Sequence, residues 1–145
     1  MIFRDRTERA IALAMHAHAG QKDKKGLPVI FHPMRVMLQM DTESSRIVAI
    51  LHDVLEDTDF ALEDIDEMVG LTVIERETLI ALTHHKHEPY VDYIKRVKST
   101  GHLAVKIKLA DIAHNSSEER LADLPEVTVV RLLKKYASAL EILTQ

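Results

Sequence analysis

Apolar positions recur along this chain at three- and four-residue spacing, the period of a helix with one face turned inward. The first such segment runs from about Arg4 to His18, with Ile11, Leu13 and Ala14 among its apolar positions, and Gly20 stops it. "QKDKKGLPVIF" follows as a loop of three lysines, a glycine turn and a proline. "HPMRVMLQM" opens a second helix, with Pro33 in the first turn, where no backbone N–H is needed. "DTESS" caps a third helix that continues through Leu55. "FALEDIDEMVG" is a short amphipathic helix ended by Gly70. "TVIERETLIALTHH", "YVDYIKRVKS" and "HLAVKIKLADIAHN" are the fifth to seventh, and "VTVVRLLKKYASALEIL" is the eighth. The pattern predicts an all-α bundle of about eight helices, one domain spanning residues 1–145.

Composition narrows this further. A chain of 145 residues, 46% hydrophobic and 29% charged, can bury a core without metal or disulfide staples. Four Gly and three Phe leave little for a β-sandwich or barrel. The net charge of −4, with no basic run longer than "KDKK", argues against nucleic-acid binding. Cysteine is absent, so thiolate metal sites are excluded. No apolar stretch approaches the ~20 residues of a membrane span, and the expectation is a soluble cytoplasmic protein.

Candidate chemistry begins at "AILHDVLEDTD", residues 49–59. At about 100° per residue, with His52 at zero, Asp53, Glu56 and Asp57 fall near 100°, 40° and 140°. Ile47, Val48, Leu51, Val54 and Leu55 take the opposite arc. Four polar groups therefore share one face, which is equally the pattern of a solvated face. The seventh helix is apolar around nearly its whole circumference, as buried helices are, yet Asp111 sits in its middle with Asn115 one turn on. A buried carboxylate pairs, protonates or binds a metal. An Asp111–Lys108 pair, or a pair of Asp111 with an arginine across the core, is the structural alternative to a ligand role. His32, held by Pro33 at a helix start, is on its own a satisfied structural histidine. Together, His32, His52, Asp53 and Asp111 offer two neutral imidazoles and two carboxylates from three segments. Their charge of −2 balances one divalent ion, and a nitrogen–oxygen donor set suits Mn²⁺, Fe²⁺ or Zn²⁺ rather than Ca²⁺.

"HAGQKDKKGLPVIFHPMRVM", "AILHDVLEDT" and "VKIKLADIAHN" resemble, in order and spacing, the HD-domain phosphohydrolases, and within them the hydrolase domain of the RelA/SpoT alarmone enzymes. The match spans about residues 9 to 140. The resemblance implies a compact all-helical HD domain with its metal, usually Mn²⁺, on His32, His52, Asp53 and Asp111. It implies that Glu56 and Asp57 position or activate the attacking water, that Asn115 lies near the nucleotide, and that His18 supports the site from behind. The implied reaction removes the 3′ pyrophosphate from guanosine tetra- or pentaphosphate. Lys22, Lys24 and Lys25 sit on the loop feeding His32, where their ammonium groups could hold phosphate charge.

The departures fall on the base-recognition side. Asp23 stands where the alarmone hydrolases carry a cation that stacks on guanine, Val29 replaces their tyrosine, and Ile112 replaces the arginine of "LADR". The same-fold alternative is therefore a phosphatase or phosphodiesterase for another nucleotide. The alternative of a different class is a regulatory nucleotide-binding module without turnover. His84, His85 and His87 of "THHKHEP" are expected to be exposed residues at a helix end rather than a second metal site. His16 and His18 point to different faces, and His114 is a second support of the site or an ordinary helix residue. Val129, Leu132, Leu133, Tyr136, Leu140 and Leu143 form a stripe that is core or a homodimer face.

Overall fold

The computed structural model describes residues 3–145 and is all-helical, with ten helices and no strand among the described residues. Helix α1 (Arg6–Ala17) starts on Asp5, whose carboxylate accepts the Thr7 and Glu8 N–H groups. α2 (Phe31–Leu38) holds Pro33 in its first turn, as the sequence predicts. α3 (Glu43–Leu51) is capped by Thr42, whose hydroxyl accepts the Ser45 N–H at 3.1 Å. Ile47 through Leu51 are fully buried, because α3 packs against α1, α2, α6 and α8 at once.

The expected third helix does not run unbroken to Leu55. It stops at His52, and a separate turn, α4 (Val54–Asp57), begins after Asp53. The physical cause is local: the His52 ring nitrogen Nδ1 bonds the Ala49 carbonyl at 2.6 Å, occupying an acceptor that α3 would use to continue. α5 (Leu62–Val69) ends at Gly70, whose φ of 76° is the left-handed cap that glycine favours. α6 (Val73–Leu82) opens with a capping box between Thr72 and Glu75. Glu75 is 0% exposed, yet satisfied: Arg6 grips both of its oxygens at 2.7 and 3.1 Å, and the Ser44 hydroxyl donates at 2.6 Å. This one carboxylate ties α1, α3 and α6 together.

α7 (Tyr90–Thr100) and α8 (His102–Asn115) are joined by Gly101 alone, at φ 137°. α8 has the bounds the sequence predicts but is not buried on every side. Ala104, Ile107, Asp111 and Ile112 are buried, whereas Ala113 is exposed. α9 (Glu118–Leu121) is a four-residue turn with no counterpart in the sequence reading. α10 (Glu126–Leu143) closes the bundle against α7 and α8. Its stripe is only partly core: Leu143 is buried and Leu133 and Leu140 are exposed. No helix among the described residues is long and apolar enough to cross a membrane.

Candidate active site

Three segments bring the predicted donors to one point: the first turn of α2, the α3–α4 break and the middle of α8. His32, His52 and Asp111 are 6%, 3% and 4% exposed. Asp111 Oδ1 lies 2.7 Å from His32 Nε2 and 3.3 Å from His52 Nε2. Asp53 Oδ2 lies 3.3 Å from His52 Nε2 and 3.9 Å from His32 Nε2. The break between α3 and α4 makes this convergence workable, since neighbours on an unbroken helix diverge by about 100°.

The opposite edges of both rings are already engaged. His52 Nδ1 donates to the Ala49 carbonyl, which leaves Nε2 of the neutral ring with a lone pair facing the carboxylates. His32 Nδ1 meets His114 Nδ1 at 2.7 Å, the two rings stacked at 10°. Burial and the neighbouring His32 push His114 down to about 4, so it stays neutral and can accept the His32 proton. Lone pairs of nitrogen and oxygen approach this closely only with a proton or a cation between them. The donor set therefore fits a divalent ion, with two neutral imidazoles and two carboxylates balancing its charge.

With no ion bound, a proton on His52 would take that place. Burial alone would lower His52, but the carboxylates of Asp53 and Asp111 more than reverse this and push it up to about 9. A raised folded-state pKa stabilises fully below the free value of 6.5, and the contribution fades as pH climbs through about 9. The metal-free protein is thus expected to lose thermal stability over that interval, and a divalent ion should flatten the curve. Melting from about pH 6 to about pH 10, with chelator and with an added divalent ion, checks this. A chelated protein whose Tm stays level would count against it.

Asp111 also accepts from Lys108 Nζ at 2.8 Å on its other oxygen, and from Asn115 Nδ2 at 3.2 Å. The Lys108 pairing and the cluster contacts thus coexist on one carboxylate. Burial is outweighed by Lys108, His32 and His52, which hold Asp111 well below the usual carboxylate range.

The acidic pair divides in two. Glu56 Oε1 accepts the His84 backbone N–H at 2.7 Å. The Asp57 side chain has no such partner among the described residues, and burial together with Asp53 and Glu56 pushes it up to about 6. Gln21 donates to the Asp57 carbonyl at 3.0 Å and is itself held by buried His18 at 2.9 Å. Gln21 thus links His18 to the backbone at Asp57.

Two clefts border the cluster and share His32, Asp53, Asn115, Arg120 and Tyr136. The first, about 320 Å³, takes in Lys22, Lys24, Lys25 and Asp57, with Val29, Leu121, Leu124 and Leu132 as apolar walls. The stripe residues Leu132 and Tyr136 line this cleft, and Tyr136 also packs against the core. Lys25 is tied to the Glu119 carbonyl at 2.6 Å. The second cleft, about 230 Å³, is walled by Glu56, His84, Tyr90, Tyr93, Lys108 and Lys135. His84, expected to be exposed, is half-buried and stacks on Tyr93 at 4.6 Å, while His85 and His87 are exposed.

Asp23 has its own role in the loop. Its Oδ1 accepts the Lys25 and Leu27 N–H groups at 2.8 and 2.9 Å, closing the turn at Gly26, and its Oδ2 lies 3.6 Å from Arg120. Arg120, on α9, also donates to Asn115 Oδ1 at 3.3 Å. Arg120, Lys135 and Tyr90 are site-lining residues that sequence reasoning missed. Ile112 is buried in the core, away from either cleft.

Helices wrapped around a buried His/His-Asp/Asp cluster define a domain of the HD type. No model of a known protein family matches the chain. It is 37% identical over 118 residues to the guanosine-3′,5′-bis(diphosphate) 3′-pyrophosphohydrolase of Aquifex aeolicus, covering 74% of this chain and 17% of that protein. The protein of the same name from Borreliella burgdorferi is 32% identical over 148 residues, covering 90% of this chain and 21% of that one. The chain thus spans about a fifth of the length of these curated relatives. A solved structure of a metazoan SpoT ortholog, described as hydrolysing ppGpp, shares the fold with a TM-score of 0.82 at 21% identity. That superposition covers 99% of this chain and 88% of the other. The chain is an HD-domain relative of the RelA/SpoT hydrolases.

Proposed function

We propose that this chain is a metal-dependent phosphohydrolase that removes the 3′ diphosphate from guanosine tetra- or pentaphosphate, acting as one domain over residues 1–145. The observation that carries the reading is the meeting of two imidazoles and two carboxylates between two cation-lined clefts. His32, His52, Asp53 and Asp111 would hold the ion, Mn²⁺ being the choice among divalent ions that accept nitrogen and oxygen donors. When bound, the ion polarises a phosphoryl oxygen and lowers the pKa of water.

The chain's own groups supply the rest. Asp57, pushed up to about 6, is basic enough to take a proton from the attacking water and still ionised at neutral pH. Water oxygen bonds to the phosphorus on the ribose 3′ oxygen. The bond from that phosphorus to the 3′ oxygen breaks, diphosphate departs with the water oxygen, and the proton that Asp57 took from the water returns to the 3′ oxygen as its hydroxyl. Lys22 and Lys24 line the wall where phosphate charge would be held, and Asn115, anchored to Asp111, borders both clefts.

A second reading, hydrolysis of another phosphorylated nucleotide, is favoured by Asp23, whose oxygens serve the loop and Arg120 rather than a base-stacking cation. A panel of guanosine tetraphosphate, GTP, GDP and adenosine analogues, incubated with the Mn²⁺-loaded protein and resolved by anion exchange, separates the two. Diphosphate and GDP from guanosine tetraphosphate, lost on chelation, are expected. Turnover confined to other nucleotides would favour the second reading. No turnover at all would favour a binding module.

A further inference from the structure

Behind the cluster lies a third cleft of about 250 Å³, which His114 borders and none of the four predicted ion-binding residues lines. It shares Asp23, Lys25 and Arg120 with the first cleft, and Leu27, Phe31, Arg35 and Glu119 complete its walls. Three cations thus face two carboxylates, and both carboxylates are already engaged. Asp23 serves the Lys25 and Leu27 N–H groups and lies 3.6 Å from Arg120. Glu119 meets Arg35 only at 3.6 Å, in a pair whose side chains are 59% and 58% exposed. Exposed pairs of that kind contribute little, so Arg35 can turn to a better acceptor. His114 adds a neutral donor. Its Nδ1 accepts from His32, so the ring's own proton is on Nε2, and no acceptor for it is present among the described residues. Leu27 and Phe31, 48% and 50% exposed, set two apolar side chains beside these donors. Apolar walls with a few converging polar groups are the usual form of a small-ligand site.

We propose that this third cleft binds a phosphate monoester carried on a flat ring, and that its occupancy is felt at the His/Asp cluster through the stacked imidazoles of His114 and His32. The double charge and three acceptor oxygens of such a group suit Arg35, Arg120 and the His114 N–H better than a carboxylate would. Phe31 and Leu27 take the ring. The volume, just under the ~300 Å³ of ordinary ligand pockets, admits one ring and one phosphate. An anion on the His114 Nε2–H makes Nδ1 a stronger acceptor. That draws on the His32 N–H and makes His32 Nε2 a better ligand. Linkage is reciprocal, so the anion and a divalent ion tighten each other by one factor. The coupling rests on the proposed metal site, whereas the cleft does not.

Phenyl phosphate tests the site, with inorganic phosphate and benzoate beside it, by NMR titration of the chelated wild type, Arg35→Met, Phe31→Ala and Lys22→Met. Arg35 and Phe31 are exposed, so neither change threatens the fold. Arg35→Met should weaken phenyl phosphate about tenfold, in line with one charged hydrogen bond. Phe31→Ala should erase its advantage over inorganic phosphate, and Lys22→Met, in the first cleft, should change nothing. The site is overturned if phenyl phosphate leaves the signals of Leu27, Phe31, Arg35 and His114 unmoved. It is equally overturned if benzoate binds as tightly, or if Lys22→Met weakens the ester as much as Arg35→Met. Free Mn²⁺, followed by electron spin resonance, then reads the coupling. Phenyl phosphate should tighten Mn²⁺ about fivefold in the wild type and not at all in Arg35→Met or in His114→Phe, which keeps the stacked ring. A gain that survives Arg35→Met would mean that the phosphate ligates the ion directly, and would overturn the coupling. Arg35-dependent binding of phenyl phosphate in a protein that takes up no ion would keep the cleft and sink the proposed metal site.

Discussion

Asp111→Asn should abolish stoichiometric metal and hydrolysis together, and should also weaken the fold. The carboxylate sits between two claims. One oxygen meets His32 at 2.7 Å and His52 at 3.3 Å, and the other accepts the Lys108 ammonium at 2.8 Å. An asparagine amide cannot satisfy both. With its NH₂ toward Lys108, two donors confront each other and a buried cation loses its partner. With its NH₂ toward the histidines, the cluster loses an anionic oxygen. Breaking a buried pair from one side costs about 3–5 kcal/mol, so denaturant midpoints should fall alongside metal content. Elemental analysis of the folded variant decides the ligand role. Retention of one ion per chain would make Asp111 the counter-ion of Lys108 and nothing more.

Asp57→Asn carries the second large effect, and it should dissociate binding from chemistry. Asp57 has a carboxylate without a hydrogen-bond partner among the described residues, raised to about 6 by burial and its acidic neighbours, whereas Glu56 spends an oxygen on the His84 backbone. Asp57→Asn is expected to keep the metal and lose turnover by about 10²–10⁴, the usual contribution of a general base. Glu56→Gln still presents an oxygen to His84 and should lose less. The working base is the ionised form, so wild-type turnover should rise with pH through about 6, and the asparagine variant should lack that limb. Equal losses in the two variants, or metal lost from Asp57→Asn, would contradict this division of labour.

Most helices were legible because each carries its own signals. Thr42 and Thr72 announce starts, Gly70 an end, and α8 has the bounds its pattern predicts. The α3–α4 break was not legible, because Val54 and Leu55 continue the apolar period and the cause is a side-chain bond from His52 to Ala49. α9 is too short to show periodicity, which is how Arg120 was missed. The His/Asp donors could be read from type and order, since few reasons exist for a carboxylate inside an apolar helix. Lys135 and Tyr90 could not: a lysine on an amphipathic helix reads as a solvated residue. Only the packing of α10 against α7 places Lys135 over an aromatic ring. Asp23 was visible as a departure, but its loop contacts depend on backbone closure that no residue type announces.

The one-residue joint at Gly101 sets how this domain tolerates changes in length. α8 begins directly after it and carries Lys108, Asp111 and Asn115 at fixed steps from that joint. An added residue there would screw the whole helix by about 100° and ~1.5 Å, sweeping all three side chains off the cluster in a single event. The joint before α10, across residues 122–125, has several residues over which an insertion can be absorbed. Residues inserted around α9 should therefore disturb metal content less than a residue inserted at Gly101, a ruler written into the backbone rather than into any ligand.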